Sequence, residues 1–412
     1  MWRAAIVTLG LLCTSPVSGL AQEPPATQET EPQGLIAEPL IIERAALFGR
    51  RHFSGGEGAA GLYADVMNMI PGAGWLAAGP GYRQWYSGDR LFFDTSAAIS
   101  MRGYRTAQAR VELPKLSNGK LIVGSQFRWQ DATQINAFGE GPDTLESNHA
   151  QYRMRSSNLV GYATLRPWRS VAITGQGGWL KPSILEASGP FRSELPDFRQ
   201  MFPGDPVFAL LEQPGFAYAE TSITADTRDA PGHARRGALL RGAASSYSDR
   251  DSGVFSFRRY EGEAAGFVPL ADSRIVVALH GWLVGSDTAD GNFVPFYLQP
   301  SLGGANTLRS YTNYRFHDRN MLVLNLETRV ALMTHVDAAV FLDAGNVAPR
   351  IGDLNLDKRS YGAGLRLHSG SNTFARMDIA HGGEGWRFLF RLNDPLSLSR
   401  LLRRTAQVPF VP

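Results

Sequence analysis

Along most of this chain, hydrophobic residues return at every second position. Tyr361, Ala363, Leu365 and Leu367 alternate with Ser360, Gly362, Gly364, Arg366 and His368. Ala375, Met377 and Ile379 oppose Arg376 and Asp378, and Trp386, Phe388, Phe390 and Leu392 oppose Gly385, Arg387, Leu389 and Arg391. Upstream, Leu91, Phe93, Thr95, Ala97, Ile99 and Met101 oppose Asp94, Ser96, Ser100 and Arg102. Leu121, Val123, Phe127 and Trp129 oppose Gln126, Arg128 and Gln130, while Leu322, Leu324, Leu326 and Val330 oppose Asn325, Glu327 and Arg329. A period of two is that of a strand with one apolar and one polar face. Such segments fall near 75–86, 90–102, 103–113, 119–131, 156–167, 170–180, 216–227, 236–249, 252–267, 272–285, 320–333, 335–346, 359–369, 371–382 and 384–393, with one more before Ile70. This predicts an all-β protein of about 16 strands, an even number as in single-chain bacterial barrels. No segment predicts an amphipathic helix, and three connections are long: 132–149, 181–215 and 286–319.

Alternation alone fits either a soluble sandwich, with its apolar face hidden, or a membrane barrel, with that face turned to lipid. The start of the chain bears on the choice. Arg3, the short apolar run Ala4–Leu12 and the small residues at Gly19-Leu20-Ala21 have the form of a cleavable export signal. Cleavage after Ala21 would remove Cys13, the only cysteine, leaving neither disulfide nor thiolate. The expected organisation is a signal peptide at 1–21, a disordered leader at 22–45, a transmembrane antiparallel β-barrel at 46–393 and a C-terminal tail at 394–412. Export, a length far beyond one sandwich, and aromatic residues on the apolar faces (Tyr86, Trp129, Trp168, Trp179, Trp282, Trp386) favour the barrel. The slightly negative mean hydropathy and 44 glycines fit a barrel whose hydropathy averages out. A net charge of +3 argues against a nucleic-acid partner.

The most informative stretch is Gly303-Gly304-Ala305-Asn306-Thr307-Leu308-Arg309-Ser310-Tyr311, in the last long connection. It precedes Asn325-Leu326-Glu327-Thr328-Arg329 and then Phe341-Leu342-Asp343-Ala344-Gly345. By spacing alone, Arg309 reads as readily as a solvated loop charge. In order and spacing, these pieces closely resemble the bacterial surface antigen family of outer-membrane barrels, the superfamily of the BamA and TamA assembly barrels and the two-partner secretion transporters. Gly79-Pro80-Gly81-Tyr82, Asp226-Thr227-Arg228-Asp229 and the closing segment with Gly385, Phe388 and Phe390 agree with it.

The resemblance implies that the loop motif Leu308, Arg309, Ser310 and Tyr311 folds into the barrel and that Arg309 meets Asp343. Glu327, Arg366 and Arg376 are expected as lumen neighbours. It further implies that Gly385, Phe388 and Phe390 form the signal by which assembly machinery reads the last strand. Three departures stand out. Ser310 occupies the family's glycine position, which there allows close approach or positive φ. Only about 25 residues lie between the cleavage site and the first strand, too few for the POTRA modules such proteins usually carry. The chain also continues past Leu392, where the family usually stops.

The implied activity is insertion or transport of outer-membrane proteins or lipids. Its partners would be outer-membrane lipids including lipopolysaccharide, the barrel-assembly machinery, and an unfolded outer-membrane protein or lipid client. No cofactor is implied. A passive pore or structural surface-antigen barrel is the competing reading. An enzyme barrel would have to draw on His280, His368 or His381 with Asp378 or Ser360, which form no consistent nucleophile–base–acid set along the strands. A lumen-facing Arg366 is expected to tolerate replacement by alanine, whereas Leu365→Arg on the lipid face is not.

Overall fold

The structure, a computed structural model, describes residues 34–53, 60–67, 77–192, 194–209, 213–392, 394–396 and 404–410. The export-signal segment and most of the leader lie outside these residues. Its strands are β1 (Gly61–Met67), β2 (Ala77–Tyr86), β3 (Leu91–Ser100), β4 (Arg105–Leu116), β5 (Leu121–Ala137), β6 (Ala150–Trp168), β7 (Val171–Leu185), β8 (Phe216–Asp226), β9 (Gly237–Asp249), β10 (Phe257–Leu270) and β11 (Ile275–Thr288). Then follow β12 (Ser301–Leu302), β13 (Phe316–His317), β14 (Asn320–Met333), β15 (Val336–Ala348), β16 (Lys358–His368), β17 (Thr373–Gly382) and β18 (Gly385–Arg391). All except β12 and β13 form one 16-stranded antiparallel sheet in which each strand pairs with the next in sequence. β12 and β13 pair with each other inside the connection from β11 to β14. The alternation therefore translates into an up-and-down barrel wall. Among the described residues no ladder joins β1 to β18, the two ends of the sheet.

The facing follows the pattern. Leu365, Met377, Ile379, Phe388 and Phe390 lie exposed on the outer face, as lipid-facing residues must, whereas Arg366, Arg376 and Asp378 are buried inside. Tyr86, Trp168, Trp179 and Trp386 are exposed as well. Trp282 corrects the sequence reading: it is 1% exposed and points inward, stacked in the lumen with Leu302, Leu308 and Phe316. β11 is apolar on both faces (Ile275-Val276-Val277-Ala278-Leu279), so alternation could not say which face was inner.

The turns at one end of the sheet are mostly short, and the three longest connections lie at the other, the outward end in such barrels. β5 and β6 have 17 and 19 residues, well beyond the ~9–11 that cross a bilayer. Their loop ends bury Ile135, Tyr152 and Met154 with Phe198, Phe296 and Leu298 from the long connections, forming a packed apolar cap at that end.

The leader differs from expectation. Leu40–Phe53 is a helix, α1, where the sequence predicted a disordered leader to residue 45 and no amphipathic helix. Ahead of it the backbone NH groups of Leu35 and Ile36 donate to the Ala331 and Leu332 carbonyls at the short-turn end of β14, and Glu38 accepts from the His335 backbone at 2.7 Å. These tertiary bonds order a segment whose composition carries no strand or helix signal.

Candidate functional site: a loop arginine in the lumen

The connection from β11 to β14 folds back on itself. Gly303 and Gly304 both have positive φ (112° and 96°), and a Cβ on Gly303 would lie 2.1 Å from the Thr312 carbonyl, so only glycine serves there. The β12–β13 ladder closes the base, and the tip carries Leu308 to Tyr311 into the lumen. Leu308 packs with Trp282 and Val323, and the Tyr311 ring lies 5.2 Å from Phe316.

At the tip, Arg309 is 1% exposed. Its Nε and Nη2 donate to the Asp343 carboxylate at 2.9 and 2.8 Å, and its Nη1 donates to Glu327 at 2.7 Å. The Arg309 backbone NH also donates to Asp343, and the guanidinium lies 3.4 Å from the Phe341 ring centroid. Lysine could not reproduce this planar fork. Burial alone would lower the Arg309 pKa, but Asp343 and Glu327 outweigh it and raise it, so the side chain stays charged.

Glu327 also receives Arg366 at 2.8 Å and Arg329 at 2.9 Å. Arg366 continues to Asp378 at 2.5 Å, Arg376 meets the other Asp378 oxygen at 3.1 Å, and Arg329 reaches Asp394 at 2.9 Å. The network thus joins four guanidiniums (309, 329, 366, 376) to four carboxylates (327, 343, 378, 394), a net charge of zero. Neutrality is what permits so many charges in so dry a place. Arg376 also holds the tip itself, donating to the Ala305 carbonyl and the Asn306 side chain at 2.8 Å each.

These contacts correct the expectation that Arg366→Ala is tolerated. Removing Arg366 would leave Glu327 and Asp378 buried with fewer partners. Ser310 is accommodated by close approach, since it is not among the residues of positive φ. Its hydroxyl lies 2.7 Å from that of Ser360, over the facing pair Ser360 and Gly382, and a Cβ on Gly382 would come within 2.1 Å of the Ser310 oxygen. The small residue at this crossing stands on the wall, at Gly382.

Gly385, with φ +83°, opens β18, and Phe388 and Phe390 stand on its outer face. Asn325, Ser360, Asp378 and Asp394 are the site members that the sequence did not assign to it. Period two places Asp378 beside Arg376 and so offered a signal; Asp394 offered none.

The histidines are dispersed. His280 bridges Asn325 and Glu263 at 2.9 Å each, and His381 lies beside Tyr361 and Trp386. His368 stacks on His233 with ring centroids 4.0 Å apart and 12° between planes, beside Asp337. His233, Asp337 and His368 are of metal-ligating type, a grouping hidden in the sequence because it spans a turn and two strands. Two stacked parallel rings direct their lone pairs side by side rather than to one point, and Arg235 already donates to Asp337 at 3.0 Å. The group is therefore poorly arranged as a metal centre.

Fold and facing define the class: an outer-membrane-type β-barrel with a loop folded into its lumen. Residues 217–382, from β8 to the end of β17, match the Omp85 superfamily domain, a stretch that includes the loop and strand motifs around Arg309 and Asp343. The fold is similar to BamA from Haemophilus ducreyi lacking POTRA domains 1–3, with a TM-score of 0.59 at 13% identity over 80% of this chain and 69% of that one. It is also similar to CdiB from Escherichia coli, with a TM-score of 0.52 at 13% identity over 80% of this chain and 61% of that one. No curated relative matches the sequence.

Proposed function

We propose that the protein works in the outer membrane of a Gram-negative bacterium as an insertion or translocation barrel. The observation that carries this reading is the seating of Arg309 on Asp343 and Glu327, because it fixes a long loop deep inside a barrel wall that a simple pore would leave open. The two terminal strands, β1 and β18, share no ladder among the described residues, which supports it further. A seam that can part gives a client strand free backbone donors and acceptors to pair with. Residues 1–21 act as the export signal, and Gly385, Phe388 and Phe390 on the last strand serve the assembly machinery as its recognition signal. Arg309 and Asp343 act as a lock that holds the loop tip, with Glu327, Arg366 and Arg376 supporting it. The clients are outer-membrane proteins or lipids, and the surrounding lipids include lipopolysaccharide.

The test compares lipid vesicles with and without the purified protein, following the folding rate of an unfolded outer-membrane barrel and the flip of a labelled lipid. Acceleration of either that is lost in Arg309→Ala supports the proposal. Unchanged rates together with a large steady conductance would establish the passive pore instead.

A further inference from the structure

The segment Arg404–Phe410 does not leave the barrel. It climbs the lumen against the wall formed by β4, β5, β6 and β8 and reaches the connection between β11 and β14. Arg404 lies 4.7 Å from the Tyr162 ring centroid and 3.9 Å from Glu112. The Ala406 NH donates to the Tyr218 hydroxyl and its carbonyl accepts from Asn158, both at 3.3 Å. The Tyr218 hydroxyl in turn donates to Asn158 at 2.9 Å, so the two receptors hold each other in place. The Val408 carbonyl accepts from Gln130 at 3.2 Å. The Phe410 NH donates to the Tyr297 carbonyl at 2.9 Å, and its ring lies 4.1 Å from the Arg259 guanidinium. Val408 is 4% exposed and Phe410 9%.

Two features separate this arrangement from a chain end that merely found space. The wall bonds the main chain at residues 406, 408 and 410, every second residue, which is how an extended peptide is read. The ends of the segment are held through side chains, a cation over an aromatic ring at one and an aromatic ring under a cation at the other, each of a kind worth about 0.5–2 kcal/mol. Nearer the short-turn end, Asp394 is tied to Arg329 and to Thr373 (3.1 Å), so the departure point from β18 is fixed to the same network that holds Arg309.

We propose that Arg404–Phe410 is a tethered plug, seated in a main-chain-reading groove built by Asn158, Tyr218, Gln130 and the Tyr297 carbonyl, and that it leaves the groove when the lumen conducts. The proposal rests on the transport reading of the barrel, but its test does not depend on any client. The pair Gln130→Cys and Val408→Cys, with Cys13→Ser, allows the segment to be locked by a disulfide-containing bifunctional crosslinker and released by reductant. Ion conductance of the full chain in planar bilayers is the readout. Reduction is expected to raise the open fraction, and Arg404→Ala with Phe410→Ala to raise it by roughly tenfold, the factor given by about 1.4 kcal/mol. A synthetic peptide with the sequence of residues 404–410 added to that variant should lower it again. Equal conductance of locked and reduced protein, or no rise in the Arg404→Ala, Phe410→Ala variant, overturns the plug. Client folding and lipid flip in vesicles are scored separately, so loss of those activities with the plug behaviour intact would count against the transport reading alone.

Discussion

The wall of β14 to β17 and the wall of β2 to β4 are built on the same period-two pattern, yet they place charge in opposite conditions. In the first, Arg309, Glu327, Arg366 and Asp378 form a continuous network with side chains 2% exposed or less. In the second, Arg83 and Asp94 pair at 3.3 Å with side chains 19% and 10% exposed, and Lys115 and Asp89 meet at 3.6 Å with side chains more than half exposed. The difference is not in the strands. The loop tip is pressed against the first wall, whereas at the Arg83–Asp94 pair only the Tyr63 ring, 4.0 Å from Arg83, lies over the charges. A lumen-facing ion pair becomes strong or costly according to what covers it, since burial removes water that would otherwise screen and solvate each charge.

The largest effects are expected where the covered network loses one partner. Arg309→Ala should destabilise the folded barrel by about 3–5 kcal/mol, the usual cost of leaving a buried charge unpaired. Asp343→Asn should resemble it, and the double change should cost less than the two singles together. Urea unfolding in vesicles measures all three, and strict additivity would show that the residues are not partners. Arg366→Ala belongs in the same class, and a wild-type unfolding midpoint there would break the distinction between the walls.

The outer faces should erase the difference. Leu365→Arg on β16 and Phe127→Arg on β5 each place a charge toward lipid, at a cost of about 2–4 kcal/mol near the midplane. Membrane insertion measured by heat-modifiable mobility should fall for both. Harm confined to Leu365→Arg would mean that the β5 face is not lipid-facing.

At the partly exposed Arg83–Asp94 pair, Arg83→Ala should cost at most about 1 kcal/mol and less in high salt. A loss as large as that of Arg309→Ala would show that the loop tip is not what separates the two walls.

The smallest effect is a pH dependence of the outward cap. Burial raises the Asp205 and Asp318 carboxyls, both in long connections, to about 6. A raised carboxyl pKa means that the folded cap binds protons more tightly than the opened one. Stability of the cap is therefore gained as pH falls through about 6 and lost as it rises. External protease should cut the loops more slowly at pH 5 than at pH 8, and Asp318→Asn should narrow that gap. Equal cleavage at both pH values would remove these carboxyls from the account.

Period two at Ser360–His368 or Leu322–Val330 determined strand, facing and the presence of Glu327 and Arg366 on one inner surface, because a strand's geometry leaves no choice once one face is apolar. The motif order around Arg309 and Phe341–Gly345 was legible as family resemblance, and so was an even strand number. Other features depended on contacts between residues far apart in sequence. Trp282 turned inward because β11 is apolar on both faces and only the loop packing on it decided the matter. The helix after Pro39 and the docking of Glu38 on His335 arose from partners almost 300 residues away. The neutrality of the lumen network needed Asp394, which no periodicity marks. Local pattern fixes what a residue can face; tertiary structure alone decides which opposite charge, ring or carbonyl stands there when water has been removed.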